Sequence, residues 1–194
     1  MFRGTDQGLT DERFWSDVEF YKEKKLMLSS YVISKTKKEM AVLEFADKHG
    51  LDVVSVIPSL VVGPFICPNL PSSVFMGMAM IFGKQEMYKA LAKPNLVHVD
   101  DVANAYIFLF EHPNAKGRYI CSSNETGIHS LSEFLSANYP EFPIPKADVL
   151  DKIEGFKTPS LSSKKLLDSG FKFKYGLDEM FDEAFLCCKE KGFL

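Results

Sequence analysis

The sequence predicts an α/β protein in which a long helix leads directly into a strand of the parallel type. From Tyr31 to His49, apolar residues recur in two stripes at helical spacing, and Gly50 supplies a C-terminal stop. Val53–Ile57 follows at once as a nearly continuous run rich in β-branched residues. Such a run is typical of a strand buried on both faces of a parallel sheet. A helix followed by a buried strand within a few residues is half of a β-α-β unit.

Shorter elements continue the alternation in the rest of the chain. The segment "SSVFMGMAMIFG" predicts an apolar helix with a serine as N-cap candidate, and residues 84–95 predict a loop or short helix. Leu96–Val99 predicts a strand, "DDVANAYIFLFEH" a helix and Arg118–Ser123 another strand. Three further short helices are expected around Leu131–Ala137, Ser162–Ser169 and Leu177–Lys191.

Composition and charge exclude several classes of protein. A formal net charge of −3 argues against nucleic acid or an anionic membrane surface as the main partner. No apolar run approaches the roughly 20 residues that a membrane-spanning helix requires. The leading stretch "MFRGTDQGLTDERF" lacks the apolar centre of a secretory signal.

The cysteines and histidines predict neither disulfides nor a metal site. The four cysteines include no C-x-x-C spacing, which indicates free thiols in a reducing compartment, and we expect a cytoplasmic protein. The four histidines show no i, i+4 pairing of the kind that binds zinc. A metal site is therefore not expected, and a monomer is the default expectation.

The stretch "SSYVISKTKKE" places Tyr31 and Lys35 four residues apart on one helical face. An ammonium held beside a phenol stabilises the phenolate, so that the phenol becomes a better acid at neutral pH. Such a tyrosine can give its proton to a carbonyl oxygen while hydride arrives at the carbon, which is general acid catalysis. The other lysine donors remain available for ribose hydroxyls. Tyr31 and Lys35 are the candidate catalytic residues.

The spacing alone does not single out this pair. Tyr21 and Lys25 fit Y-x-x-x-K equally well, and a bare match in a lysine-rich chain can arise from composition. Context distinguishes the two, because Tyr31 opens a helix that leads into a buried strand, whereas Tyr21 lies in a charged segment.

Other polar residues have simple structural interpretations. Asp100 and Asp101 are expected to cap a helix, and His98 to pack within a strand. The acids of "LDEMFDEAF" are expected to form a solvated face, and Cys187–Cys188 to serve packing rather than redox chemistry. The methionine-rich "FMGMAMIF" is expected in the core, with the lining of an aromatic-ligand pocket as the alternative.

The segments that surround the Tyr31–Lys35 pair resemble a known family. "SYVISKTKKEMAVLEFADKHGLDVVSVIPSLVVGPFICPNLPSS" and "VHVDDVANAYIFLFEHPNAKGRYICSS" are similar to extended short-chain dehydrogenase/reductases, more narrowly to the plant dihydroflavonol 4-reductase group. "LTDERFWSDVEF", "TPSLSSKKLLDSGFKFKYGLDEMFDEAF" and "CCKEKGFL" support the narrower assignment. The resemblance covers Leu9 to Leu194.

The resemblance implies a fold and its division. We expect the second half of a Rossmann-type NAD(P)-binding fold plus a smaller C-terminal α/β substrate lobe. Residues 1–63 would belong to the dinucleotide-binding domain and 64–194 mainly to the substrate lobe, with 96–123 returning to the Rossmann domain.

The resemblance also implies an activity, a cofactor and a set of site residues. The activity would be NADP-dependent reduction of a flavonoid or isoflavonoid ketone to an alcohol, with Tyr31 as proton donor and Lys35 as its partner and ribose ligand. NADP would also contact Pro58, Ser59, Leu60, Val61 and Ser73, and Asn95 would contact the substrate. The placement of Pro58 agrees with the rule that ligands of open α/β sheets lie beyond the carboxyl ends of parallel strands.

The chain departs from the family in one respect. It contains neither a glycine-rich dinucleotide loop nor a P-loop, and the family's catalytic serine has no counterpart. The resemblance therefore implies a C-terminal part of a reductase, with the glycine-rich half missing. The alternative is a non-catalytic truncated paralogue that does not bind the cofactor.

Overall fold

A computed structural model describes residues 9–25, 28–155 and 158–194. The strands are β1 Leu9–Thr10, β2 Val54–Pro58, β3 Leu60–Val62, β4 Asn95–His98, β5 Gly117–Cys121, β6 Asn124–Glu125 and β7 Ser160–Leu161. The helices are α1 Val18–Lys24, α2 Ser29–His49, α3 Ser72–Gly77, α4 Val99–Glu111, α5 Ile128–Asn138, α6 Ala147–Leu150, α7 Lys164–Asp168 and α8 Leu177–Glu190. A 3₁₀-helix spans Gln85–Leu91.

The described residues form two compact units. Unit 1 consists of residues within 1–57, 105–121 and 159–171, and unit 2 of residues within 58–104, 122–158 and 172–194. The division at residue 63 that the resemblance implies stays a prediction.

Unit 1 contains the long helix that the apolar stripes predict. α2 begins at Ser29 and ends at His49, where Gly50 adopts a left-handed conformation (φ 66°) and its N–H bonds to Ala46 O. Thr36 and Ala46 are its buried residues. The helix prediction is therefore confirmed, with a start two residues earlier than expected.

The strand that follows α2 is less buried than its sequence predicts. β2 runs from Val54 to Pro58, one residue later than expected, and pairs with β5 in a two-stranded sheet. None of its residues is fully buried, and Pro58 is exposed. The expectation of burial on both faces is wrong for this structure, because every residue of β2 keeps part of its surface exposed. Among the described residues, β2 is paired with β5 alone. β1 pairs in parallel with β7 in the same unit.

Unit 2 is built on a three-stranded sheet in the order β3-β4-β6. β3 and β4 are parallel, with Leu60 opposite Leu96 and Val62 opposite His98. β6 is antiparallel to β4. β4 runs directly into α4, because His98 ends the strand and the next residue begins the helix.

The core of unit 2 contains the methionine-rich segment. Met78 and Met80 are completely buried and belong to one apolar cluster with Leu96, Leu131 and Phe181. The prediction that this segment is core is confirmed. The predicted helix, however, ends at Gly77, because Met78 leaves helical geometry (φ −91°, ψ 16°). Its N-cap position is occupied by Pro71 rather than by a serine, and no side chain caps it.

Among the described residues, no helix is both long and apolar enough to cross a membrane. The leading residues 1–8, which belong to the stretch without a predicted secretory signal, lie outside the described ranges.

Candidate functional site

Helix α2 presents Tyr31 and Lys35 on one face, as their spacing predicts. The Lys35 ammonium nitrogen lies 5.5 Å from the centre of the Tyr31 ring, within the range of a cation–π contact. Tyr31 is 60% exposed, so its phenol can be reached by a ligand. The structure therefore brings the candidate acid and its cationic partner together at the start of α2.

The start of α2 leaves polar groups available near this pair. Leu28 occupies the N-cap position in a left-handed conformation (φ 70°), and no side chain caps the first turn. The hydroxyl oxygen of Ser29 is buried and has no hydrogen-bond partner among the described residues.

The second Y-x-x-x-K match has a different geometry. Tyr21 lies in α1, but Lys25 is the C-cap residue with φ 45°, and its N–H bonds to Tyr21 O. Lys25 is therefore past the end of the helix. Burial raises the pKa of Tyr21, which disfavours its phenolate. The structure supports the Tyr31–Lys35 pair over this match.

The predicted cofactor residues Pro58 to Val61 lie at the carboxyl end of β2 and in the following strand. Pro58 is the last residue of β2, and Leu60 and Val61 belong to β3, so Ser59 alone connects the two strands. The Ser59 hydroxyl oxygen is buried and has no hydrogen-bond partner in the described part of the chain. A buried hydroxyl without a partner is costly unless a ligand supplies one.

Ser73 and Asn95 lie on elements that pack beside β3. Ser73 belongs to α3, which approaches β3 so closely that a Cβ added at Gly77 would lie 2.7 Å from Val62 Cγ2. Asn95 opens β4, one position before the Leu60–Leu96 pair. Ser73, Asn95 and the β3 residues thus lie on neighbouring elements of unit 2, while Tyr31 and Lys35 belong to unit 1.

These side chains fit a dinucleotide in their chemistry. Lys35 and the hydroxyls of Tyr31, Ser59 and Ser73 are hydrogen-bond donors, and ribose and phosphate oxygens accept hydrogen bonds. The partnerless Ser59 hydroxyl supports this fit. The described residues contain no cluster of three or more His, Cys, Asp or Glu side chains that could bind a metal ion.

Asp101 has a role that the sequence interpretation missed. Its side chain is completely buried, and its two oxygens accept hydrogen bonds from the backbone N–H groups of Lys174 (3.0 Å) and Tyr175 (3.2 Å). The expectation that Asp101 caps its own helix is therefore wrong. Its carboxylate instead satisfies the backbone of a distant segment.

His98 is buried in β4, as expected. Its ring stacks on Tyr175 at 4.0 Å, and its Nδ1 accepts a hydrogen bond from the Asp100 N–H. Because Nδ1 is the acceptor, the neutral ring carries its proton on Nε2, which lies 3.4 Å from Glu183 Oε2 without hydrogen-bonding geometry.

The acidic row of α8 is only partly solvated. Tyr139 donates a hydrogen bond to Asp182 (2.6 Å), and burial together with this bond raises the pKa of Tyr139. Asp178, Glu179 and Asp182 are exposed, as expected of a solvated face, and Glu183 is half-buried near His98. All four cysteines, which lie within the described ranges, are free thiols as predicted. The Cys187 sulfur accepts a hydrogen bond from the Phe65 N–H (3.4 Å), and its S–H donates one to the Phe65 carbonyl oxygen (3.3 Å).

A further cluster in unit 1 was not predicted. Glu39, one turn after Lys35, accepts hydrogen bonds from the Ser55 hydroxyl (2.6 Å) and from Arg118 Nε (3.1 Å). Arg118 stacks on Trp15, with its central carbon 3.6 Å from the ring centre. The helical position of Glu39 hinted that it shares the side of Lys35, but no local pattern indicated its partners.

Comparison with known proteins identifies the fold and the family. Residues 17–121 match the NAD dependent epimerase/dehydratase family. The chain is 45% identical over 193 residues to vestitone reductase from Medicago sativa, covering 100% of this chain and 59% of that protein. It is 46% identical over 185 residues to dihydroflavonol 4-reductase from Arabidopsis thaliana, covering 95% of this chain and 48% of that protein. The chain therefore spans about half to three fifths of these relatives.

Solved structures agree with this assignment. The crystal structure of vestitone reductase from alfalfa matches with a TM-score of 0.90 at 44% identity, covering 100% of this chain and 62% of that chain. Yeast methylglyoxal/isovaleraldehyde reductase Gre2, complexed with NADPH, shares the fold at 20% identity with a TM-score of 0.72, covering 96% of this chain and 58% of that chain.

The predicted fold class, part of a Rossmann-type α/β protein, is confirmed by these matches, and so is the resemblance to the dihydroflavonol 4-reductase group. Because the matched family region covers more than half of the sequence, the chain belongs to the NAD dependent epimerase/dehydratase family.

Proposed function

We propose that this chain carries the proton-donating part of an NADP-dependent reductase that converts the ketone of a flavonoid or isoflavonoid to an alcohol. The observation that supports this most directly is the Tyr31–Lys35 pair, whose ammonium nitrogen and ring centre are 5.5 Å apart on an exposed helical face. The similarity to vestitone reductase and dihydroflavonol 4-reductase supports the substrate class.

The cofactor residues follow from the same proposal. Lys35 and Tyr31 would hold the nicotinamide ribose, and Pro58, Ser59, Leu60, Val61 and Ser73 would contact the nicotinamide or diphosphate. The hydroxyl of Ser59, buried without a partner, supports its place in this set. When bound, NADPH supplies the hydride that reduces the ketone carbon. The NADPH bound to a yeast reductase of the same fold supports a nicotinamide dinucleotide as the cofactor.

The residues of this chain supply the proton. The Tyr31 hydroxyl donates a hydrogen bond to the ketone oxygen and transfers its proton as negative charge develops there. The Lys35 ammonium stabilises the resulting phenolate by its positive charge. Asn95 would orient the substrate through its side-chain amide, which can both donate and accept hydrogen bonds.

The first experiment measures cofactor binding and turnover with the protein as it is. NADPH is titrated while the fluorescence of Trp15, the single tryptophan, is followed, and reduction is then assayed on a panel of flavanones and isoflavanones. Saturable NADPH binding with turnover supports the proposal. Absence of both supports the alternative, a non-catalytic truncated paralogue without cofactor binding.

The second experiment tests Tyr31 as the general acid. Tyr31→Phe is expected to lower kcat by about 10²–10⁴-fold, the range for loss of a positioned general acid, while NADPH binding is retained. Tyr21→Phe is the matched control, because it removes the hydroxyl from the other Y-x-x-x-K match. Turnover retained in Tyr31→Phe, or lost equally in both variants, contradicts the assignment.

We further propose a cytoplasmic monomer. Four free thiols favour a reducing compartment. Imaging of a fluorescent fusion tests the cytoplasmic location, and sedimentation of the purified protein tests the monomeric state.

A further inference from the structure

We propose that Arg118 holds the Glu39 carboxylate away from Lys35 and so keeps the Lys35 ammonium available to Tyr31. This inference rests on the proposed function of the Tyr31–Lys35 pair. It makes Arg118 and Glu39 positioning residues that act through Lys35.

Helix α2 places a potential competitor next to Lys35. Tyr31, Lys35 and Glu39 follow one another at intervals of four residues, so each is the neighbour of the next on the helix surface. A lysine and a glutamate at this spacing attract each other. Lys35 nevertheless contacts the Tyr31 ring, and the Glu39 carboxylate faces the other way, toward β2 and β5.

The Glu39 carboxylate is held by two strands. Its Oε1 accepts hydrogen bonds from the Ser55 hydroxyl of β2 (2.6 Å) and from Arg118 Nε of β5 (3.1 Å). Its Oε2 accepts a longer bond from a terminal nitrogen of Arg118 (3.4 Å). The side chains are only 20% exposed for Glu39 and 13% for Arg118, so the pair is little weakened by water.

Contacts with residues other than Glu39 also hold the Arg118 side chain in place. Its other terminal nitrogen donates hydrogen bonds to the backbone oxygens of Glu12 and Phe14, the latter at 3.0 Å, and its plane stacks on Trp15. An arginine whose fork is positioned in this way can bind both oxygens of one carboxylate at once, which a lysine cannot do.

Removal of Arg118 would leave Glu39 with one neutral partner, the Ser55 hydroxyl. A partly buried carboxylate that has lost its cation gains from any other cation within reach, and Lys35 is one helical turn away. The Lys35 ammonium would then be divided between Glu39 and Tyr31. Arg118 thus determines whether the Lys35 ammonium interacts with Tyr31 or with Glu39.

The test measures how fast the Lys35 amine reacts with an amine-specific label in the wild type, Arg118→Met, Glu39→Gln and the double variant. Only free amine reacts, and an ion pair with Glu39 stabilises the ammonium. Arg118→Met is expected to slow labelling of Lys35 about twofold, the size of an i, i+4 ion pair. In the Glu39→Gln background the same change should have no effect, because the competing carboxylate is gone. Exposed Lys152 in the other unit serves as the reference amine.

The double variant separates a specific pairing from the general loss of a nearby positive charge. If Arg118→Met slows the labelling equally with and without Glu39, or in neither background, the inference is overturned. Far-UV circular dichroism checks that each variant is folded. Where Arg118→Met is not folded, Arg118→Lys replaces it, with a smaller slowing in the same direction expected and the same two outcomes contradicting the inference.

The labelling does not depend on turnover, so it is separable from the proposed function. If the wild type reduces no ketone while the labelling follows the expected order, the proposed function fails and the control of Lys35 by Arg118 stands. If the wild type is active, kcat should fall in Arg118→Met and recover partly in the double variant. If the loss of kcat in the double variant equals the product of the losses in the two single variants, the role of Arg118 is merely structural.

Discussion

Replacing Asp101 by asparagine removes the negative charge that organises a buried turn in unit 2. The side chain has no exposed surface, and its two oxygens accept the backbone N–H groups of Lys174 and Tyr175. Asparagine has nearly the same shape but only one acceptor oxygen, and its amide nitrogen is a donor. One of the two N–H groups therefore faces a donor and is left unsatisfied.

The size of the effect follows from these two bonds. A hydrogen bond to a charged group contributes about 1.5–3 kcal/mol, and a buried donor without a partner costs about 1–3 kcal/mol. Because a weakened bond to the asparagine oxygen remains, we expect Asp101→Asn to lower the free energy of unfolding by about 2–3 kcal/mol. For a chain of this size that loss corresponds to a fall in Tm of about 5–10 °C.

Urea unfolding followed by far-UV circular dichroism measures this loss, and the neighbouring residue provides the control. Asp100 is exposed, and its carboxylate is 3.5 Å from the Tyr175 hydroxyl, so Asp100→Asn should stay within about 0.5 kcal/mol of the wild type. Wild-type stability in Asp101→Asn, or equal losses in both variants, would refute the assigned role of the Asp101 carboxylate.

Two further substitutions, Gly63→Ala and Tyr139→Phe, probe unit 2, and Gly127→Ala is the control for the first. Gly63→Ala should destabilise the fold by about 2 kcal/mol, because φ is +141° there and the new Cβ would lie 2.8 Å from Val99 Cγ1. Gly127→Ala, where a Cβ meets nothing within 4 Å, should cost less than about 1 kcal/mol in the same urea experiment, because only the N-cap of α5 is affected. Burial and the bond to Asp182 raise the pKa of Tyr139 in the folded state, so its contribution to stability is complete below pH about 10 and is lost as the pH rises above that value. Tyr139→Phe should therefore reduce the fall in stability measured between pH 9 and about 11, and an unchanged pH profile would contradict this.

The elements that the sequence predicted are those with local signals. The two apolar stripes and Gly50 located α2 to within two residues, and the β-branched run located β2 to within one. Strand β3 was missed, because three residues beyond Pro58 are too few to show a period. Helix α3 was predicted too long, since a segment buried on every side shows no polar face that marks where a helix ends.

In the candidate site too, the sequence predicts contacts between nearby residues but not between distant ones. Tyr31 and Lys35 could be paired from their spacing, because a helix converts sequence distance directly into spatial distance. Glu39 and Arg118 are 79 positions apart, and their pairing depends on the approach of α2 to β5, which no local pattern encodes. The roles of Pro58, Ser59, Leu60, Val61, Ser73 and Asn95 come from the family resemblance and stay predictions.

The single residue between β2 and β3 limits how this part of the gene can change in length. With only Ser59 between the two strands, there is no loop in which an inserted residue could be accommodated. An insertion that shifted β3 by one position would turn the fully buried side chain of Val62 to the opposite face and break its alignment with His98. Insertions and deletions should therefore be absent from this junction in functional homologues.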